Sequence, residues 1–210
     1  MSESGTAPRR LAGLVLCGGA STRMGREKAL LPVGGRPLVL HVAGLLERAA
    51  DPVFLGPGTL GRLGALGYRE VEDAAPSSGP LGGLVAGLAA SPHPLVAVLA
   101  VDMPFASPEL FTYLADLHRG EDAVVPLLGS RPEPLHAVYA RSGLPALQAS
   151  LAEGVLALHS ALERLRVRWV DEEEWRTADP SGRFAQNINS KEDLAHVEGV
   201  AAIRPSLPPD

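Results

Sequence analysis

A six-residue apolar run, Leu11-Ala-Gly-Leu-Val-Leu16, stops against Cys17 and the pair Gly18-Gly19. A run this short and this uniformly apolar has no wet face, so it reads as a strand buried on both sides, the condition of a parallel sheet. Parallel neighbours cannot be joined by a tight turn; each needs a crossover, usually a helix. The chain supplies that alternation. Pro37 to Ala50 places Leu38, Val42, Leu45, Leu46 and Ala49 at helical spacing, with proline suited to a first turn. Val53-Phe-Leu55 reads as a strand, Thr59–Leu66 as a glycine-diluted helix, and Tyr68–Val71 as a strand. After a loop over Glu72–Ser78 comes a helix, Leu81–Ala90, and then Leu95–Val101, the most strongly β-like run, ending at Asp102. Ser107-Pro108 opens a further helix, with Ser as cap and Pro at the first position.

The second half breaks the alternation. Asp122–Pro126 and Leu135–Ala140 both read as strands with no helix between them. Helical patterns follow at Leu144–Glu153 and Leu156–Leu165, then a strand at Val167–Val170. The acidic run Asp171 to Glu174 reads as a solvated turn, and Ser190 as the cap of a closing helix with Asp193 three residues on. The expected fold is α/β, a three-layer α/β/α sandwich around a Rossmann-like, mostly parallel sheet with an antiparallel excursion near Val124 and Val138. With no linker and no repeat, residues 11–200 are expected to form one domain, with 1–10 and 201–210 as flexible tails.

Composition narrows the function. The 210 residues are 46% hydrophobic and 20% charged, as in soluble globular proteins. A net charge of −5 and the lack of a basic run weigh against duplex nucleic acid as a partner. Only 4% of residues are aromatic, too few for a platform that stacks single-stranded bases. A single cysteine excludes an intrachain disulfide and a multi-cysteine metal centre, which suits a reduced, cytoplasmic setting. The mostly apolar stretch Gly79–Val101 approaches the length of a membrane span, but Ser91-Pro-His-Pro94 breaks it, so no membrane association is expected.

In an open α/β sheet, ligands lie beyond the carboxyl ends of the strands. The densest chemistry sits there, in Leu16-Cys-Gly-Gly-Ala-Ser-Thr-Arg-Met-Gly-Arg-Glu-Lys28. Gly18 and Gly19 let backbone approach a ligand closely, and free amides there suit phosphate or base edges. Arg23 and Lys28 bring two positive charges, one a planar fork and one a point charge, able to offset those of a triphosphate. Neither G-x-G-x-x-G nor G-x-x-x-x-G-K-[ST] occurs, which argues against a nicotinamide-type fingerprint and a Walker-type ATPase. Asp102, after a buried strand, is a hard oxygen ligand suited to Mg²⁺, which takes one or two carboxylates with phosphates and waters. Asp73, ahead of Gly79-Pro80, can accept two hydrogen bonds from the N1 and exocyclic amine of guanine, or bind a ribose hydroxyl. Gly79, Gly82 and Gly83 suit either close ligand approach at a helix start or tight helix packing. Asn187 and Asn189 alternate along an extended segment, where they suit either an acceptor contact or turn chemistry. His136 lies in a strand-like stretch and suits an acceptor contact or a structural role equally. The histidines at 41, 93, 118, 159 and 196 share no ligand spacing, and Cys17 is expected to pack at a strand end.

The same loop, continued through Ala29-Leu-Leu31 and Gly35-Arg-Pro-Leu38, resembles the signature of the MobA-like nucleotidyltransferases. Further matches follow in order: Val71-Glu-Asp73, Gly79-Pro-Leu-Gly-Gly-Leu84, Val101-Asp-Met-Pro104, Pro134-Leu-His-Ala-Val-Tyr139, and Phe184 to Leu194 with its Asn-x-Asn. The resemblance spans about Leu11 to Val197. It implies a nucleotide-diphospho-sugar transferase-like fold and transfer of GMP from GTP to the terminal phosphate of Mo-molybdopterin, with release of pyrophosphate. A CTP-dependent sister activity, or one on another small phosphate acceptor, is the alternative. By the same resemblance Leu16, Cys17, Gly18 and Gly19 hold the base, Arg23 and Lys28 the phosphates, and Asp73 the nucleotide. Asp102 holds nucleotide and Mg²⁺, and Asn187, Asn189 and His136 face the acceptor. Transient contact with molybdoenzymes or molybdopterin-synthesis proteins is also implied, though no surface for it is marked. Two positions depart from the family. Gly56-Pro57-Gly58 stands where an Asn is often placed, and Cys17 replaces the usual Ala.

Overall fold

The structure, a computed structural model, describes residues 11–18, 27–188 and 193. The sequence-expected tails, Gly19, Arg23, Asn189 and the Ser190-capped helix lie outside the described residues, Asp193 apart.

The first apolar run is β1 (Leu11–Leu16), buried throughout and central in the sheet. After Lys28 come two elements unforeseen from the sequence, the short strands β2 (Pro32–Val33) and β3 (Arg36–Pro37). They pair through Gly34-Gly35, both at positive φ, the backbone that a two-residue hairpin turn requires. Pro37 thus ends a strand and caps α1 (Leu38–Glu47) instead of starting it. The chain returns as β4 (Val53–Gly58) and β5 (Arg69–Glu72). Between them, the helix expected over Thr59–Leu66 is absent. Gly61 and Gly64 hold φ of +74° and +76°, so the segment runs as successive turns.

Next come α2 (Gly79–Ala90), β6 (Leu95–Ala100) and α3 (Pro108–Leu117). Ser107 caps α3 as expected, its Oγ accepting the Leu110 amide at 3.1 Å. The second half runs β7 (Ala123–Leu128), β8 (Arg131–Pro132), β9 (His136–Ala140), α4 (Leu144–Ala152) and α5 (Leu158–Leu162). It closes with β10 (Val167–Val170) and α6 (Glu172–Trp175). The helix expected over Leu156–Leu165 thus shrinks to about one turn. The acidic run is not a bare turn: Asp171 and Glu174 form a capping box on α6, which buries Trp175 in the core.

The main sheet has the order β10-β7-β9-β6-β1-β4-β5, with β8 paired to β7 at its side. The pairs β1–β4, β1–β6, β4–β5 and β7–β10 are parallel. The excursion is β9, antiparallel to both β6 and β7, with Val124 directly opposite Val138. Alternate residues of each strand feed opposite cores. Leu11, Val15, Ala97 and Leu99 meet Leu38, Val42, Phe111 and Trp175 on the α1, α3 and α6 face. Leu14, Leu16, Val96 and Val98 meet Leu81, Leu84, Leu147 and Leu162 on the α2, α4 and α5 face. This is the expected three-layer sandwich. The register then sets the site, because Leu16 pairs with Gly56 on one side and Ala100 on the other. The residues that follow, Cys17, Pro57 and Val101, therefore lie at one level at the carboxyl edge of the sheet.

Candidate active site

Above those strand ends lies a cleft of about 1250 Å³, lined in part by Leu16, Cys17, Gly18, Lys28, Asp73 and Asp102. Six of the residues expected to form the site are thus brought together. A second cavity of about 600 Å³, near Glu47, Tyr68 and Arg69, lies at the opposite ends of β4 and β5 and holds none of them.

One end of the cleft is built on β1 and β6. Lys28, opening a short 3-10 turn (Lys28–Leu30), places Nζ 3.1 Å from Asp102 Oδ2, with the side chains 16% and 26% exposed. This part-buried pair stays within reach of solvent, so a ligand can exchange either partner. The loop carrying Asp102 is held from four sides. The Val101 amide bonds the Leu16 carbonyl at 3.0 Å, and the Ile188 amide bonds the Asp102 carbonyl at 2.8 Å. His41 Nε2 meets the Pro104 carbonyl at 2.9 Å, and the Ser107 amide donates to His136 Nε2 at 3.2 Å. His41 escaped the sequence reading because only the fold brings α1 to this loop. Glu133 was missed as well. It is buried nearby, and burial pushes its carboxyl up from the ordinary value, with Asp102 adding to the shift and the Leu135 amide and Arg131 opposing it.

His136 corrects an expectation. Its ring is fully buried, stacked on Phe111 at 3.8 Å between centroids and edge-on to Phe184, so it cannot face an acceptor. Burial lowers its pKa to about 3, so the ring is neutral and Nε2 is free to accept the Ser107 amide. It supports the Asp102 loop from below. Asn187 is exposed and does not line the cleft; its contribution in the structure is to lead into Ile188.

The other end is built on β4, β5 and the start of α2. Here main chain packs on main chain: a Cβ added at Gly18 would stand 3.3 Å from the Gly58 amide nitrogen. The Asp73 amide bonds the Gly58 carbonyl at 3.0 Å, and the Ala74 amide the Gly82 carbonyl at 3.2 Å. A Cβ at Gly83 would meet Asp73 Oδ1 at 3.2 Å, so glycine leaves that carboxylate clear. Burial pushes the Asp73 carboxyl up from the ordinary value, while Arg62 opposes the shift and Glu72 adds to it. Cys17 is buried, and its thiol is pushed up to about 12 by that burial, so it packs and does not react.

With Gly56-Pro57-Gly58 offering no polar side chain, Arg62 occupies this wall. Its guanidinium donates to the Pro57 carbonyl at 2.7 Å, to Glu27 Oε2 and to the Cys17 carbonyl. No motif marks Arg62 in the sequence, where its segment carries the spacing of a helix; the glycine-rich turns bring it to the cleft.

Among the described residues no group of three or more His, Cys, Asp or Glu side chains could hold a metal. Asp102 is nevertheless already in contact with a cation, the Lys28 ammonium. One carboxylate with phosphate and water oxygens is a donor set that suits Mg²⁺ better than an all-protein cage does. Among the described residues no helix is long and apolar enough to cross a membrane.

Residues 13–169 match the family model of the MobA-like NTP transferase domain. A probable molybdenum cofactor guanylyltransferase of Pelotomaculum thermopropionicum is 36% identical over 190 residues, covering 90% of this chain and 92% of that protein. The molybdenum cofactor guanylyltransferase of Desulfosudis oleivorans is 32% identical, over 90% and 95% of the two chains. Among solved structures, the molybdopterin-guanine dinucleotide biosynthesis protein A of Archaeoglobus fulgidus superposes with a TM-score of 0.80 at 27% identity, covering 91% of this chain and 98% of that one. The 2-C-methyl-D-erythritol 4-phosphate cytidylyltransferase of Thermus thermophilus shares the fold, with a TM-score of 0.64 at 20% identity over 90% and 98%. The chain therefore belongs to the MobA-like NTP transferase family.

Proposed function

We propose that this protein is a molybdenum cofactor guanylyltransferase, which transfers GMP from GTP to the terminal phosphate of Mo-molybdopterin. The observation that carries the reading is the pairing of Lys28 with Asp102 at one end of a cleft whose other end presents Asp73. The first pair suits a triphosphate, and the Asp73 carboxylate suits the two N–H donors on the edge of guanine.

The acceptor phosphate is a monoester with a second pKa of about 6, so it is ionised at neutral pH and needs no general base. Its oxygen forms a bond to the α-phosphorus of GTP as the bond from that phosphorus to the bridging oxygen breaks. Pyrophosphate leaves with the electron pair. The chain contributes position and charge. Lys28 exchanges Asp102 for phosphate oxygens and offsets charge on the departing pyrophosphate, and Arg23 is assigned the same task through the family resemblance. Asp102 is assigned Mg²⁺, which when bound supplies charge neutralisation between phosphates. The backbone of Leu16, Cys17 and Gly18, which lines the cleft, is assigned to the nucleotide, and Gly19 joins it by the family resemblance. Asn187 and Asn189 are assigned to the acceptor by resemblance. Molybdoenzymes and molybdopterin-synthesis proteins are the proposed transient partners.

Pyrophosphate release by the purified chain with Mo-molybdopterin tests the reading. GTP-dependent release with little activity on CTP is the expected result. Release with CTP alone would move the protein to the sister activity, and release with neither would overturn the proposal.

A further inference from the structure

Arg62 belongs to a turn that no sequence motif marks, yet it makes more polar contacts in the cleft wall than any other side chain described there. Its three donated bonds reach three different segments: the end of β1 at Cys17, the end of β4 at Pro57, and Glu27 beside Lys28. A planar guanidinium can hold such a fork, and a lysine cannot. Two of its acceptors are backbone carbonyls of the loops that approach most closely, where Gly18 and Gly58 pack without side chains. Asp73 is tied to the same stretch, its amide bonded to the Gly58 carbonyl at 3.0 Å next to the Pro57 carbonyl that Arg62 holds, and the cation acts on its carboxylate.

We propose that Arg62 is a positioning residue for base selection: it fixes the Cys17 and Pro57 carbonyls and keeps a positive charge beside Asp73, so that this wall accepts a base with two adjacent N–H donors. Guanine presents that pair, at N1 and the exocyclic amine. Cytosine and adenine do not, because each offers an unprotonated ring nitrogen beside its amine. The inference rests on the guanylyltransferase reading and adds the residue that enforces it in a chain whose β4 ends in Gly56-Pro57-Gly58.

Among the described residues, Arg62 is the cation that opposes the shift at Asp73. From β5, Glu72 acts against ionisation. From β1, Cys17 stays a neutral thiol. α2 contributes Gly82 and Gly83 and carries no titratable side chain, and its N-cap, Ser78, turns its hydroxyl to the Ala75 carbonyl at 2.5 Å. Glu70 is occupied by the Gly61 amide at 2.6 Å. Removing the Arg62 charge therefore raises the pH at which Asp73 loses its own, and a protonated carboxyl accepts the guanine edge poorly.

Titration calorimetry of the full chain provides the test, with GTP, inosine triphosphate, CTP and inorganic tripolyphosphate as ligands across pH 5 to 8. The variants are Arg62→Met and Arg62→Lys. The expected result for Arg62→Met is a loss of GTP affinity of about tenfold at pH 7, the weight of one good polar contact, with tripolyphosphate binding unchanged. GTP affinity should then begin its decline on acidification at a higher pH than in the wild type. Inosine triphosphate, which lacks the exocyclic amine, should lose less than GTP does. Arg62→Lys should restore the pH profile while leaving part of the affinity loss. A parallel loss for GTP and tripolyphosphate with no change in pH profile would reduce Arg62 to a structural tie and overturn the proposal. So would unchanged GTP binding in Arg62→Met. A wild-type chain that does not prefer GTP over CTP fails at the reading beneath, which separates the two failures.

Discussion

The two ends of the cleft each set a cation beside a carboxylate, but they do so differently. At the β1–β6 end, Lys28 meets Asp102 through a single contact at 3.1 Å. At the β4–β5 end, the Arg62 fork is committed to Glu27 and two backbone carbonyls, and it acts on Asp73 without a hydrogen bond to it. Among the described residues the Lys28 point charge has one acceptor and the Arg62 guanidinium three, and the fewer the acceptors the more easily a cation is exchanged. The first arrangement suits groups that must change partners during a reaction. The second suits a surface that must keep its shape while a base is read. The charges are alike, and the number of acceptors separates the roles.

This contrast can be broken most forcefully at Asp102. Asp102→Ala should lower transfer by about a thousandfold or more, as expected when a principal electrostatic contact to the transferring group is lost, while the far-ultraviolet circular dichroism spectrum stays that of the wild type. Activity within a few-fold of wild type would remove Asp102 from the reaction. Lys28→Ala comes next, with a loss of about a hundredfold in kcat, close to 3 kcal/mol at the transition state. Steady-state kinetics would refute the exchangeable-cation role if only KM moved. At the other end, Gly83→Ala would place a methyl group 2.6 Å from Leu16 Cδ2 and 3.2 Å from Asp73 Oδ1. Overpacking of this kind costs about 1–3 kcal/mol, and here it should appear as weaker GTP binding with tripolyphosphate binding intact.

Two smaller effects sharpen the comparison. Ser107→Ala removes the α3 cap beneath the Asp102 loop and should cost about 1 kcal/mol of stability in urea melts. A change within error would show that the loop is held by its other bonds alone. Asp73→Asn should raise Tm slightly at pH 7 even as GTP binding is lost. The folded protein holds the Asp73 pKa above its ordinary value, so the ionised form costs stability at pH above that raised value. The cost fades as the pH falls through it and is gone below the unfolded value of about 3.9. Melting curves of the two proteins should therefore converge on acidification, and a gap that widened would reverse the assigned sign.

Much of this was legible in the sequence because period and position agree. Leu11–Leu16 and Leu95–Ala100 are too uniformly apolar for anything but a buried strand, and the chemistry sits directly after them. The paired strands at Val124 and Val138 likewise announced the antiparallel β9. What stayed hidden was decided by tertiary contact. Thr59–Leu66 has apolar residues at helical spacing, yet two glycines in the left-handed region dissolve the helix, and that same turn delivers Arg62 to the cleft. His136 looked like a ligand-facing residue because strand periodicity does not say which face is covered; Phe111 and Phe184 cover it. His41, distant in sequence, acquires its partner only when α1 packs beside the Asp102 loop. The acidic run resembled solvent-facing punctuation because its charges conceal a capping box that serves Trp175.

The bond from the Ile188 amide to the Asp102 carbonyl bears on how the chain matures as it leaves the ribosome. Strands β1, β4, β5 and β6 are all complete by residue 100, so the Asp73 end of the cleft can assemble early in synthesis, in keeping with the tendency of N-terminal portions to fold first. The strap at Ile188 that completes the Asp102 loop is made only after β7, β9 and β10. A nascent chain that has not reached residue 188 would therefore hold a formed Asp73 wall and an unfinished Asp102 loop, so the two ends of the cleft are completed at different times.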